Sequence, residues 1–258
     1  MTVVISIANQ KGGVGKTAIA INLGKALAAQ GKKCLFLDFD PQNNLADALA
    51  PGLDKLPGFE KGEHPANVNY MFSGVVTAEP YRVNEYIDVM GASNVVSKVD
   101  QDNLFDFADS LDCIKDQYDY VFIDCPPSVG PLQHTAFAVS NYVLIVSQAQ
   151  SQSIKGVRKV MSSLSQVKRR LNPELRVLGI AINLLERPAT INQTKQLAVL
   201  TTDYPELVMN RHLYKTVKVS ESIESGLSLV EFSPKHAENF GFNDFMIELQ
   251  TRLEGAAQ

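Results

Sequence analysis

The 258-residue chain contains no tryptophan and only three cysteines, Cys34, Cys113 and Cys125. None of the three stands at a paired ligand spacing, and each sits in or beside an apolar stretch. A disulfide framework, a zinc site and an iron–sulfur cluster are therefore not indicated, and buried thiols in a reducing compartment are expected. No apolar run approaches the roughly 18 residues of a membrane span. The sequence opens on a strand-like segment without a basic-then-apolar leader, which predicts a cytoplasmic protein. Internal repeats and low-complexity tracts are also missing. What is present is enough apolar material, 45% of the residues, for one sizeable buried core. A single domain over residues 1–258 is expected, with no helix-turn-helix domain ahead of it.

Charge is unevenly placed. Residues 151–220 carry twelve lysines and arginines against four acids, a balance of +8 that leaves −12 on the rest of a chain whose net charge is −4. Such a segment is either a set of solvated helix faces or a polyanion-binding surface on an otherwise acidic, soluble molecule.

Strand-like and helix-like patterns alternate. An apolar strand at 3–8 leads to a helix from about 16 to 30, closed by Gly31, and a second strand, 33–38, ends in acids. Residues 51–65, with Pro51-Gly52 and Pro57-Gly58, read as a surface loop. A strand near 85–90, a helix around 103–117, a strand at 120–124, a helix near 131–140 and strands at 142–146 and 177–182 follow. Continuous β-branched runs between helices mean strands buried on both faces, so the expected fold is α/β, a mostly parallel twisted sheet with helices on both faces and functional loops at its carboxyl edge. Near the C-terminus, Phe242, Phe245, Met246, Leu249 and Leu253 form one apolar helix face. The opposite face offers Asn243, Asp244, Glu248 and Glu254, without the basic flank that anionic lipid attracts.

The chemistry concentrates in Gln10-Lys11-Gly12-Gly13-Val14-Gly15-Lys16-Thr17, which follows the strand Val3–Ile7 and opens an Ala/Leu-rich helix. In that context it is a phosphate-binding loop. Glycines let backbone N–H groups close around phosphate oxygens, the helix N-terminus adds positive potential, Lys16 reaches the β- and γ-phosphates, and Thr17 ligates Mg²⁺. Gln10 stands where the usual G-x-x-x-x-G-K-[ST] pattern begins with glycine, and a second lysine, Lys11, stands at the loop entrance. Asp124, ending the apolar run Tyr120–Ile123, has the position of a carboxylate that holds the metal through water. Asp38 and Asp40, two apart on an extended segment, face the same side and either share a site or repel one another. Pro41 stiffens the backbone where Asp40 must be aimed. Asn183, at the end of the last strand, is either a turn-forming residue or an amide that reads a base.

Lys11-Gly12-Gly13-Val14-Gly15-Lys16-Thr17 resembles the deviant Walker A loop of the ParA/MinD family of P-loop ATPases. The resemblance continues through Leu37–Asn44, Val121–Ser128 and, more loosely, Val217–Glu221. It implies an ATP- and Mg²⁺-dependent, slow, partner-stimulated ATPase in which Lys11 crosses a homodimer interface to the partner's nucleotide. Gly12, Gly13, Val14, Gly15, Lys16, Thr17 and Ala18 would bind nucleotide. Asp40 would position the attacking water, and Thr17, Asp38, Asp40 and Asp124 would attend the metal. Family members commonly have glycine where Asn43 stands; asparagine tolerates the same turn conformations.

By the same resemblance Asn183 contacts adenine, while Lys218 and Arg187 contact DNA phosphates without sequence readout. Small family members of this kind bind the nucleoid non-specifically, are stimulated by a ParB-like or other adaptor, and move a plasmid, chromosome or protein cargo. The alternative is a MinD-like membrane-positioning ATPase, which the acidic C-terminal helix disfavours. A relative of the nitrogenase iron protein would need cysteines that bridge a dimer, and a tyrosine-kinase relative would need a terminal tyrosine cluster.

Overall fold

Apolar runs too continuous to face water on either side dictate the central layer of the molecule. The computed structural model describes residues 2–74, 78–100 and 103–256. Strand β1 (Val3–Ala8), helix α1 (Lys16–Ala28), β2 (Cys34–Asp38) and α2 (Asn44–Leu49) lead into β3 (Tyr81–Arg82) and β4 (Ile87–Met90). Next come α3 (Leu104–Ile114), β5 (Tyr120–Asp124), α4 (Pro131–Val139), β6 (Tyr142–Ser147), α5 (Ser151–Arg170) and β7 (Arg176–Ile182). Helices α6 (Ile191–Asp203), α7 (Lys218–Glu224), α8 (Leu229–Phe232), α9 (Pro234–Asn239) and α10 (Phe242–Ala256) follow. One seven-stranded sheet has the order β3-β4-β2-β5-β1-β6-β7. Its ladders are parallel except β3 with β4.

Successive strand residues alternate between two core layers, as the pleat requires. Val4 of β1, Leu35 and Leu37 of β2, and Val121 and Ile123 of β5 pack with Phe107, Phe137, Val157 and Leu164 from α3, α4 and α5. Ile5, Ile7, Phe36 and Phe122 point the other way, onto Leu23 and Leu27 of α1, Leu45 of α2, and Phe245 and Leu249 of α10. The fold is thus the expected P-loop α/β sandwich. Helix α1 lies so close to the sheet that a Cβ at Gly24 would stand 2.1 Å from a ring carbon of Phe36, itself stacked on Phe122 at 5.3 Å. That contact pins the phosphate-loop helix to β2 and β5.

The C-terminal stripe of Phe242, Phe245, Met246, Leu249 and Leu253 is buried in the α1 layer, so α10 uses its apolar face within the fold. Among the described residues no helix is long and apolar enough to cross a membrane. Two expectations need correction. Residues 51–65 are more than a surface loop, because Leu53 and Phe59 are core residues and Leu53–Lys55 forms a 3₁₀ turn. Cys34 and Cys125 are buried, but Cys113 is exposed, since the inward stripe of α3 is Leu104, Phe107, Leu111 and Ile114 and position 113 falls off it.

Candidate nucleotide-binding and hydrolysis site

Three adjacent parallel strands, β2, β5 and β1, end at Asp38, Asp124 and Ala8, so the loops after them converge on one edge of the sheet. Beyond β1 the strand order turns to β6 and β7, and a crevice at such a reversal is where open α/β sheets take ligands. The loop after β1 is built for close approach. Gly13 and Gly15 have φ of 70° and 94°, a conformation in which successive N–H groups form a concave anion nest. Gly15 is the residue at which α1 begins, so the cradle abuts the positive end of a thirteen-residue helix.

Beneath the cradle the side chains are already arranged. Lys16 is only 7% exposed. The Thr17 hydroxyl donates to Asp124 Oδ2 at 2.5 Å, while Asp124 Oδ1 is buried without a protein hydrogen-bond partner. Burial drives the Asp124 carboxyl up to about 6; the Lys16 ammonium and the Thr17 hydroxyl oppose the rise, and Asp40 adds to it. A buried oxygen with a free lone pair beside a threonine hydroxyl is a hard donor set, which suits Mg²⁺ and reverses the burial penalty once a cation is present.

Asp38 is held by backbone donors beside Asp124. Its Oδ1 accepts the Asp40 N–H at 2.9 Å, and its Oδ2 accepts the Leu45 and Ala46 N–H groups at 2.9 and 3.3 Å. Burial first, and the neighbouring Asp124 second, push its carboxyl well above the usual range despite those three donors. Among the described residues no three His, Cys, Asp or Glu side chains gather into a metal cage. Thr17 and Asp124 thus meet beneath the cradle, Asp38 neighbours Asp124 and holds the 38–46 segment, and Asp40 follows on that segment.

Asp40 is only partly buried, and its Oδ1 accepts the Gln42 N–H at 3.1 Å. Asn43 adopts the left-handed conformation at φ 56°, where its Oδ1 accepts the Ala92 N–H and its Nδ2 donates to Asp47.

Two residues serve the loop in ways the sequence did not disclose. Asn183 donates through Nδ2 to the Val14 carbonyl at 2.8 Å, directly under Gly15, so it braces the cradle. It also lines a cleft with Ala18, Asn22, Leu213, Tyr214 and Phe240 beside α1. Tyr214 and Leu213 could not be read from periodicity, because their segment forms no strand: Val208 bridges Ile180 of β7, and Tyr214 bridges Leu185 beyond its end. Lys11 is held by two amides: its Nζ donates to Gln148 Oε1 at 2.8 Å and Gln150 Oε1 at 2.6 Å.

The two basic residues expected at DNA are engaged within the chain. Lys218 Nζ donates to Glu221 Oε2 at 2.6 Å and lies over the Phe232 ring, and Arg187 donates to the Asn239 carbonyl and stacks over Tyr214. Helix α5 presents a different picture. It carries Lys155, Arg158, Lys159, Lys168, Arg169 and Arg170, all exposed, and no acid. Of these, among the described residues, Arg158 forms an ion pair, with Asp203.

The AAA domain family model matches residues 2–177. The chain is 33% identical over 250 residues to the chromosome-partitioning ATPase Soj of Treponema pallidum, covering 95% of each protein. It belongs to the ParA/Soj family of partition ATPases. Another ParA/Soj relative, the chromosome partitioning protein ParA of Myxococcus xanthus, is 36% identical over 200 residues, 73% of this chain and 67% of that protein.

The ParA-type architecture recurs in apo McdA from Cyanothece, with a TM-score of 0.82 at 19% identity over 98% of this chain and 100% of that one. It recurs too in pNOB8 ParA bound to nonspecific DNA, with a TM-score of 0.72 at 21% identity over 99% of each chain. Mycobacterium smegmatis cobyrinic acid a,c-diamide synthase, solved with ADP and magnesium, gives a TM-score of 0.72 at 28% identity over 91% of this chain and 93% of that one. This ParA/Soj-family chain is an ATPase of the partition type.

Proposed function

We propose that the chain is a slow ATP-driven switch: it dimerises with ATP bound, attaches to DNA without sequence preference, and releases when an adaptor stimulates hydrolysis. On the nucleoid, in the cytoplasm, such a cycle would partition or position a plasmid, chromosome or protein cargo. The observation that carries this reading is the separation of two lysines in one loop. Lys16 is buried beside Asp124, in the cradle, whereas the Lys11 ammonium is bound to the neutral side chains of Gln148 and Gln150. A cation in that position serves a phosphate presented by another subunit.

In hydrolysis the loop amides and Lys16 bind the phosphates, and the Val14–Asn183 bond ties the loop to the end of β7. Thr17 would hold Mg²⁺ directly and Asp124 through water; the ion, when bound, neutralises phosphate charge. Asp38 fixes the segment that carries Asp40, and Asp40, free at the mouth, orients the attacking water. Asn183 would contact the base. Loss of the γ-phosphate removes the anion that two subunits share, so the dimer weakens by differential interaction with the two nucleotide states.

DNA attachment rests on the acid-free face of α5 together with Arg187 and Lys218, the latter two after leaving their partners in the chain. Pairing two protomers doubles the phosphate contacts, so binding steepens with both dimer formation and falling salt. The pNOB8 ParA complex with nonspecific DNA supports the reading by likeness of fold. The test is duplex affinity with a non-hydrolysable ATP analogue, with ADP and without nucleotide: tight binding in the first state alone is expected, and equal binding in all three would refute the switch.

A further inference from the structure

Lys11 is held on its own chain by a pair of amides, a contact that neither phosphate binding nor hydrolysis requires. Gln148 and Gln150 follow β6 directly and flank Ala149; their Oε1 atoms lie 2.8 and 2.6 Å from Lys11 Nζ. Gln148 is 8% exposed and is anchored from its other end, its Nε2 donating to the Gly13 carbonyl at 3.1 Å. Gln150 is exposed and is the residue from which α5 starts; its side chain caps nothing there. The Lys11 backbone N–H is fixed as well, donating to Asn9 Oδ1 at 3.0 Å. An ammonium so held has two of its three donors satisfied by neutral oxygens.

We propose that Gln148 and Gln150 are positioning residues that holster Lys11 in cis, and that leaving this holster is part of what ATP-driven dimerisation must accomplish. The inference rests on the dimer reading for its second half, since a lysine cannot contact its own glutamines and a partner's phosphate with the same donors. Neutral acceptors suit such a device: a carboxylate would hold the amine too firmly, and an apolar residue would leave it to roam. Gln148 also touches the loop backbone, so movement of the cradle on nucleotide binding bears directly on one of the two acceptors.

Loss of one hydrogen bond at a partly exposed site shifts an equilibrium constant roughly fivefold. Two lysines leave their holsters per dimer. Gln150→Ala, which spares the Gln148–Gly13 contact, is expected to tighten the ATP-analogue dimer by about 25-fold, and Gln150→Glu, which offers Lys11 a carboxylate, to loosen it by at least as much. Opposite displacements by two substitutions at one exposed position cannot come from structural damage. Equal dimer affinities for wild type, Gln150→Ala and Gln150→Glu would overturn the proposal.

A second measurement, independent of dimerisation, is competitive acylation of lysine amines on the nucleotide-free monomer, read peptide by peptide by mass spectrometry. Lys11 should react several-fold faster in Gln150→Ala than in wild type, with other lysines unchanged. Unchanged Lys11 reactivity refutes the holster whatever the oligomeric state. Slow wild-type labelling that Gln150→Ala relieves, together with a chain that stays monomeric on the ATP analogue, would keep the holster and overturn its role in dimerisation.

Discussion

At the residue scale the site is a collection of charges whose costs are met only when ligands arrive. Asp124 illustrates this. Its folded value of about 6 lies above the ordinary aspartate value of about 3.9. The folded apo protein therefore binds its proton more tightly than the unfolded chain. The associated penalty is absent below about pH 4 and is fully present above about pH 6.

Asp124→Asn removes that buried charge, so it should stabilise the nucleotide-free protein by about 1–3 kcal/mol at pH 7.5 and by little at pH 4. Thermal melts of both proteins at the two pH values check this, and a stabilisation independent of pH would assign it to something other than the carboxylate. The same substitution should abolish ATP turnover. Asp40→Ala separates a different function: its side chain supports one local N–H and no core element, so ATP-analogue dimerisation should survive while hydrolysis falls to background. Turnover at the wild-type rate would remove Asp40 from the water-positioning role. Lys16, Thr17 and Asp124 were legible because their meaning is fixed by a strand–loop–helix context within a few residues. Gln148 and Gln150 were not, since they meet Lys11 across 137 and 139 positions and belong to no local pattern.

At the scale of elements, close packing sets the site's geometry. Gly24 lets α1 lie against the Phe36–Phe122 stack, and any side chain there must push the helix that carries Lys16 and Thr17 off the sheet. Gly24→Val is expected to destabilise the fold by about 1–3 kcal/mol through overpacking. A denaturant midpoint equal to wild type would show that α1 moves freely.

In the proposed switch, helix α5 is the element on which DNA attachment would chiefly depend. Replacing Lys155 and Lys159 by alanine should weaken duplex binding evenly across sequences and lower the salt slope by about 2, close to one unit for each phosphate left without its cation. Lys218→Ala should have a smaller effect, because Lys218 is paired with Glu221. Strands β1, β2, β5, β6 and β7 were readable as apolar runs and α1, α3 and α4 as helical patterns, and α10 buries the very stripe its sequence displays, whereas the twenty-residue α5 and the thirteen-residue α6 were not assigned. Leu53 and Phe59 were not readable as core, because the prolines and glycines around them advertise turns while two isolated apolar residues give no period.

At the scale of the whole molecule, the sheet order brings the loops after β1, β2 and β5 to one edge, with the loop after β6 beside them. One face of that edge holds the cradle, and Lys11 and Asp40 stand at its opening. An acidic remainder of −12 exceeds the +8 of the 151–220 segment, a separation that would orient the molecule toward a polyanion if it binds one. The parallel α/β architecture followed from continuous apolar runs, and the family from the phosphate loop. The reserve position of Lys11 emerged only from the folded chain.

The central claim is that ATP joins two protomers and thereby licenses DNA attachment. Sedimentation of the purified chain with a saturating non-hydrolysable ATP analogue and Mg²⁺, alone and with a short random-sequence duplex, addresses it directly. A dimer that carries the duplex, against a monomer that leaves it free in ADP, is the expected result; a monomer under both nucleotides would contradict the claim.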